Sequence, residues 1–394
     1  MRCQVAIVGA GPAGLALGQM LHLQGIDSII IERRSREHVA ARVRAGVLEQ
    51  VTVDVLDAIG VGTRLAREAL VHNGFYVRFD DRTHHLDFHA DTGRHAYVYG
   101  QSEIVADLVD ARIATGRPLV FEADDVAVTG VDTDRPRVTY TADGTTHTVE
   151  ADFVAGCDGY HGVCRTLLPA ATTTEYTRTY PAAWLGILAR SKPVAAEGMY
   201  SVHPDGLAVH SMRGTRISRQ YLQVPPGTEV GDWPDDRIWK ELLRRSACDD
   251  DTELETGEII ERSVSPLRSV VVSPMQHGSL FLVGDAAHIV PPTGAKGLNM
   301  AVSDACVLSH AIGAHYGGHT RAHLDAYSDT ALARTWLVQS FAATLTEVLH
   351  RFSDDPIEWE LRRARLARWV SSPAERRALG EVYLGLPFPT SWAY

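Results

Sequence analysis

The first 32 residues constrain the fold more than any other stretch. Residues 4–8 (QVAIV) form a short β-branched run, as a strand buried on both faces requires. The run enters Gly9-Ala10-Gly11-Pro12-Ala13-Gly14, followed by a helical pattern over 15–24 that Gly25 is placed to stop. A second apolar strand, 28–31, ends in Glu32. Strand, glycine turn, helix, strand and acid in this order are the fingerprint of a dinucleotide site. Gly9 permits the tight turn, Gly11 lets the backbone approach a pyrophosphate, and Gly14 lets helix and strand pack closely, with Ala13 between them at the helix start. The free N–H groups and positive dipole end of the helix then face the phosphates. Glu32 is placed to accept hydrogen bonds from an adenosine ribose. FAD and NAD both use this motif, so it leaves the dinucleotide open, and it occurs only once.

A chain of 394 residues is too long for one simple core and fits two domains with a helical tail. Its 45% hydrophobic and 22% charged residues are the balance of a globular enzyme. A net charge of −11 argues against a nucleic-acid partner, which needs a basic face. Cys3, Cys157, Cys164, Cys248 and Cys306 are odd in number and scattered without a CxxC pair, so they read as reduced thiols of a cytoplasmic protein with no structural metal. The start of the chain runs into a strand without an apolar leader, and no apolar run reaches membrane-span length, so no membrane partner is expected.

Two later segments settle the dinucleotide. Residues 153–162 read FVAGCDGYHG, and residues 279–300 read SLFLVGDAAHIVPPTGAKGLNM. In the second, a buried strand over 280–283 ends in Gly284-Asp285, which positions Asp285 for a ribityl hydroxyl; Gly294, Gly297 and the next helix start would bring N–H groups to a flavin ring. With Asp158-Gly159 and Gly284-Asp285, the chain resembles the class A flavoprotein monooxygenases, whose paired signatures are a DG and a GD motif. Within that class the likeness narrows to the 4-hydroxybenzoate hydroxylases, through residues 42–50 (RVRAGVLEQ), 274–299, 349–352 (LHRF) and 383–387 (YLGLP). The fold implied is α/β: a Rossmann-like FAD-binding domain carrying the GxGxxG, DG and GD motifs, an interleaved antiparallel-sheet substrate domain, and a C-terminal helical region. The expected boundaries are 1–175 for the FAD-binding domain with inserted strands around 72–100, 176–270 for the substrate domain, 271–330 for the return of the FAD-binding domain, and 331–394 for the helical region. The resemblance assigns FAD contacts to Glu32, Arg42, Val43, Arg44, Ala45, Gly46, Val47, Gln101, Asp158, Asp285, Leu298 and Asn299.

Between the DG and GD motifs the pattern alternates with Gly and Pro punctuation, as antiparallel strands do. Residues 207–213 and 216–223 read as a hairpin across Gly214-Thr215, which puts Ser211 and Arg213 on one face and Arg219 and Tyr221 on the partner strand. A guanidinium fork beside hydroxyl donors suits an aromatic carboxylate. The resemblance gives Ser211, Arg213 and Tyr221 the carboxylate, Tyr200 the phenol, and Pro292 a backbone carbonyl near the reacting ring; it implies hydroxylation of 4-hydroxybenzoate to 3,4-dihydroxybenzoate with O2 and NADH or NADPH. It further implies a relay of Tyr200, Tyr383 and His72 that carries the phenol proton outward. No second dinucleotide fingerprint exists for the nicotinamide donor, and the resemblance places it near Arg33, His38, Arg44, His161 and Arg268. His38 departs from the tyrosine common in NADPH-dependent relatives, which leaves NADH against NADPH open. The tail from Thr330 on has helical spacing, with Trp336, Leu337, Phe341 and Leu345 suggesting one amphipathic face. That face serves the core or a dimer, and the resemblance favours a homodimer.

Overall fold

Val5–Val8 is buried at all four positions and lies inside a six-stranded sheet, in parallel register with Ser28–Ile31 on one side and Phe153–Gly156 on the other. Leu119–Val120 extends the sheet beyond Ser28–Ile31, while Leu280–Leu282 and the antiparallel Gln276–His277 extend it beyond Phe153–Gly156. These details come from a computed structural model that describes residues 1–41, 46–249, 253–318 and 320–388. Strands apolar on both faces need cover on both. Pro12–Leu23, Gln101–Ala114 and Gly297–Gly318 pack on one another over the strands, and the three-stranded sheet of Asp124–Thr129, Arg137–Ala142 and Thr145–Glu150 joins the same core through Val128, Val138, Tyr140 and Val149. The first of these helices starts earlier than the apolar spacing suggests, because Pro12 is accommodated at the first position, where no N–H partner is needed. The buried Arg112 bonds Ser28 Oγ and the Pro118 carbonyl, tying the second helix to the sheet, and burial holds its pKa down to about 10.

The second large sheet has eight strands, in the order His288–Ile289, Glu258–Ser273, Thr174–Arg190, Ser218–Val224, Gly206–Met212, Met199–His203, Gly74–Phe79 and Arg82–Asp87. All neighbours are antiparallel except Met199–His203 with Gly74–Phe79. The two longest strands pair along most of their length, with a register shift between Thr179 and Ala183 where Pro181 cannot donate. One face packs on the C-terminal helices through Phe75, Tyr200, Phe341, Leu345 and Tyr383, and the other on Trp233, Ile238 and Trp239. The expected boundaries at 175 and 270 fall inside Thr174–Arg190 and Glu258–Ser273, and the one at 330 inside helix Tyr327–Leu349; Gly74–Phe79 and Arg82–Asp87 hydrogen-bond into the eight-stranded sheet.

Helix Tyr327–Leu349 corrects the single amphipathic face. Phe341 and Leu345 are buried, while Trp336 and Leu337 are 43% and 57% exposed. At about 100° per residue, Trp336 projects away from Phe341, and its ring meets the edge of Tyr176 instead. None of the five cysteines is in a disulfide, and four are buried. Among the described residues no helix is long and apolar enough to cross a membrane.

Candidate active site

Three strands of the parallel sheet end at one level, since Val8 is in register with Gly156 and Gly156 with Leu282. Their carboxyl ends carry the glycine turn, Asp158-Gly159 and Gly284-Asp285, which makes a crevice where such sheets bind ligands. The glycines divide the work. A side chain at Gly9 (φ +106°) would run into the Cys157 carbonyl, and one at Gly14 into the Gly9 carbonyl, whereas one at Gly11 would meet nothing within 4 Å. The open side above Gly11 is also where helix Pro12–Leu23 presents its first N–H groups with no side-chain cap. Glu32 reaches this turn: one oxygen accepts the Ala10 N–H at 2.8 Å and the other the Arg34 N–H at 2.8 Å. At the third strand Gly284 (φ +64°) lies against Ala13 and Ala301, with Asp285 half-buried beside it.

The end of the crevice where the sequence leads one to expect a flavin ring is stitched by backbone. Gly46 packs against the Tyr99 carbonyl so closely that no Cβ fits, and its own carbonyl accepts the Tyr99 N–H at 2.8 Å, which brings Gly46 and Val47 to Gln101 at the start of helix Gln101–Ala114. Asn299 joins Val47 to the other side: its Nδ2 donates to the Val47 and Ala295 carbonyls, both at 3.0 Å, and its Oδ1 accepts the Glu49 N–H at 2.9 Å. Gly46, Val47, Gln101, Leu298 and Asn299 therefore share one wall. The Asn299 amide is fully used by that wall, leaving the backbone of 297–299 for a ligand. Arg42, Val43, Arg44 and Ala45 lie outside the described residues.

The eight-stranded sheet presents the other wall. Tyr200, Val209, Tyr221, Gly186 and Ser263 lie opposite one another across five strands, and Ser211 faces Arg219 one step along. Tyr200 donates its hydroxyl proton to the Thr293 carbonyl at 2.7 Å, in the turn Pro292–Gly294, rather than to Tyr383; the carbonyl of the exposed Pro292 accepts the Ala295 N–H. Burial, with the neighbouring Tyr221, pushes the Tyr200 hydroxyl above its ordinary pKa. The hairpin turn is longer than expected: its strands are Gly206–Met212 and Ser218–Val224, and the Arg213 N–H bonds the Ile217 carbonyl at 2.8 Å. Arg213 thus sits at the strand end. One of its terminal nitrogens bonds the Met212 carbonyl, its Nε is buried without a partner, and no carboxylate among the described residues pairs with it. Burial holds its pKa down, Tyr221 opposes that, and Arg219 adds to it.

Residues 2–342 match the protein family described as FAD binding domain. A p-hydroxybenzoate hydroxylase from Acinetobacter baylyi is 43% identical over 390 residues, covering 98% of this chain and 96% of that relative. A 3-(3-hydroxy-phenyl)propionate/3-hydroxycinnamic acid hydroxylase from Paraburkholderia xenovorans is 26% identical, over 76% of this chain but only 48% of its own length, so the chain spans about half of that protein. Among solved structures, a p-nitrophenol 4-monooxygenase from Pseudomonas putida DLL-E4 shares the fold at a TM-score of 0.83 and 19% identity, covering 98% of this chain and 100% of that one.

The chain belongs to the FAD-dependent aromatic hydroxylases. The hydroxylase's crevice fits FAD on its own observations: open space over Gly11, an uncapped helix start, and an Asp158 whose Oδ1 is buried without a partner while its Oδ2 accepts the Cys164 N–H at 2.9 Å. Of the residues expected around a nicotinamide donor, His161 and Arg268 converge through Tyr160, whose ring meets His161 edge-on and carries the Arg268 guanidinium at 4.2 Å. Arg33 and His38 are exposed on a separate segment, and Arg36 between them pairs with Asp110 at 2.9 Å. Sequence reading missed a buried ionic knot. Lys296, 1% exposed, donates at 2.7 Å each to Glu49 Oε1 and to the Val382 and Tyr383 carbonyls, and Arg334 reaches the other Glu49 oxygen at 3.4 Å. No spacing pattern links positions 49, 296 and 334, so only the assembled fold reveals it.

Proposed function

We propose that this hydroxylase takes 4-hydroxybenzoate to 3,4-dihydroxybenzoate in aromatic-compound degradation, consuming one O2 and one NADH or NADPH and releasing water. One observation carries the reading: Arg213 is a partly buried arginine whose Nε is buried without a partner, and no carboxylate among the described residues pairs with it. An uncompensated buried cation is costly, and an incoming benzoate would satisfy it through a two-pronged contact. Ser211 and Tyr221 would add hydroxyl donors beside it. The 43%-identical relative is named for the same substrate.

With the carboxylate held there, the phenol end lies toward Tyr200. That hydroxyl donates to the Thr293 carbonyl, so its lone pairs can accept a hydrogen bond from the substrate phenol, and relay requires it to turn its own proton from Thr293 toward Tyr383 as it takes the substrate's. Tyr383, whose ring shares Phe75 with Tyr200, and then His72 would take the proton onward, leaving a phenolate whose ring is richer in electrons ortho to the oxygen. When bound, FAD collects electrons from the nicotinamide and activates O2, while the apolar shell of Phe75, Val209 and Phe341 keeps water out. The reading includes a homodimer, drawn from the exposed Trp336, Leu337, Ile357 and Leu361 on the C-terminal helices, and a cytoplasmic location, drawn from the five free cysteines.

Anaerobic stopped-flow reduction of the flavin by NADH and by NADPH, with and without 4-hydroxybenzoate, tests flavin, donor and substrate together. The expected result is a flavin spectral shift on adding the substrate, reduction by one or both donors, and 3,4-dihydroxybenzoate after oxygen is admitted. A spectrum indifferent to the substrate, or donor oxidation without that product, would overturn the reading.

A further inference from the structure

His72 closes strand Leu70–His72, is 3% exposed, and has no hydrogen-bond partner at Nε2. The two residues after it are clamped by a carboxylate from a distant segment. Glu197 Oε1 accepts the Asn73 N–H at 2.6 Å and Oε2 the Gly74 N–H at 3.1 Å, while His85 Nε2 lies 2.9 Å from Oε2. Glu197 is itself 8% exposed, three residues ahead of Tyr200 and two ahead of its strand, whereas the His85 side chain is 32% exposed. One anion thus borders both a buried imidazole and one that reaches solvent.

We propose that Glu197 is the positioning residue at the outer end of the proton relay, holding His72 in place and linking it to His85 as the group that exchanges the proton with water. The proposal rests on the relay reading of Tyr200, Tyr383 and His72. Burial holds the His72 pKa down, and the Glu197 charge pulls it back up; the same carboxylate, bonded to His85, holds that imidazole above its ordinary value. Burial would raise the Glu197 pKa, but His85, the Asn73 N–H and His72 outweigh it, so the carboxylate stays charged. When both imidazoles carry a proton toward this one anion, each weakens the anion's hold on the other. His85 then returns one proton to water, and the chain resets once the His72 ring turns its unpartnered Nε2 to the Glu197 carboxylate and its proton passes on to His85. The substrate phenol loses one proton, water gains one, and none accumulates.

The other groups facing this station come from every element around it. Asp87 is on the His85 strand, and Tyr76 stacks on His85 at 4.6 Å from the neighbouring strand. His89 and His95 stack at 4.0 Å, and His95 Nδ1 lies 3.0 Å from Asn73 Oδ1. Tyr383 approaches from the last helix, where it feels the Glu197 charge.

The test is made on the FAD-loaded protein with 4-hydroxybenzoate bound, following the phenolate absorbance after a stopped-flow pH jump. Glu197→Gln should slow phenolate appearance roughly tenfold or more and displace its pH profile, with substrate Kd unchanged and Glu197→Asp restoring part of the rate. His85→Gln, at a half-exposed position that leaves the clamp on Asn73 and Gly74 intact, should remove the His85 limb of the profile. Wild-type rate and profile in both variants would overturn the proposal. Tyr200→Phe separates the two readings: if it slows the phenolate signal while Glu197→Gln and His85→Gln do not, only the Glu197 link fails; if it too leaves the signal untouched, the relay itself is wrong.

Discussion

The cofactor crevice and the substrate wall are built from opposite materials. At the crevice, recognition is backbone: glycines chosen for what cannot fit, a helix start left uncapped, and one acid, Glu32, bonded to the turn it serves. At the substrate wall, recognition is side chain: the buried Tyr200 with the partly buried Tyr221 and Arg213, on and at the end of strands that come from residues far apart in the chain. The crevice is intolerant of added atoms, and the wall is intolerant of lost ones. Substitutions of the two kinds should therefore fail in different ways.

The largest effect is expected from Gly14→Ala. Its methyl group would meet the Gly9 carbonyl, Ile7 and Cys157 inside a closely packed turn, at a cost of about 3 kcal/mol or more, and the purified protein should carry little flavin. Gly11→Ala sharpens the point. Its methyl group meets nothing within 4 Å, so the melting temperature without cofactor should stay at the wild-type value while the flavin-to-protein absorbance ratio falls. Equal damage from both would mean that Gly11 faces protein rather than ligand.

Arg213→Ala breaks the wall by subtraction. Removing one partner of a buried charged contact costs roughly 2–4 kcal/mol, on the order of 30- to 1,000-fold in affinity. Titration of the flavin spectrum with 4-hydroxybenzoate should show that loss, with FAD content and melting temperature preserved. Unchanged affinity would take the carboxylate away from Arg213.

The same contrast explains what was legible in the sequence. The crevice was readable because its parts are local: Gly9 to Glu32 is one continuous unit, and Asp158-Gly159 and Gly284-Asp285 each follow an apolar strand directly. The wall was less so. Ser211 and Tyr221 could be placed on one face by alternation, but the turn between them extends past Gly214-Thr215 because the Arg213 N–H bonds Ile217 instead. Strands Gly74–Phe79 and Arg82–Asp87 join the eight-stranded sheet through the parallel pairing of residues 76–78 with 199–201, which no local pattern announces. The Lys296–Glu49–Arg334 knot and the Glu197–His85 pair depend on three-dimensional closure alone.

Acid should separate the regions with a smaller effect. His350, bonded to Trp184 behind Tyr221, and His210, in the strand of Ser211, are held by burial at about 3 and about 4. Their folded values lie below the unfolded value of about 6.5. Their contribution is therefore present above that pH and lost as pH falls toward 4 and 3, by about 2 kcal/mol for each at pH 5. His288 at the crevice goes the other way. Burial alone would lower its pKa, but Asp304, whose oxygen lies 2.6 Å away, raises it, so its contribution is present below the unfolded value and lost as pH climbs through the folded one. Urea unfolding of the protein without cofactor should thus lose stability from pH 7 to pH 5, and His350→Gln, weaker at pH 7, should show a shallower slope. An unchanged slope would mean that His350 titrates in the folded state.

The smallest effect is expected at the edge of the crevice, where neither rule applies. Arg36 is exposed and pairs with Asp110 in the open, an interaction worth at most about 0.5 kcal/mol after salt screening. Arg36→Ala should leave flavin content, melting temperature and 4-hydroxybenzoate affinity within error of wild type. If the 33–38 segment meets the donor, the variant should still change KM for NADPH more than for NADH, since only the former brings a 2′-phosphate to an arginine. Equal KM changes for both donors, or none, would leave the donor to the Tyr160, His161 and Arg268 face and confine the basic segment to solvent.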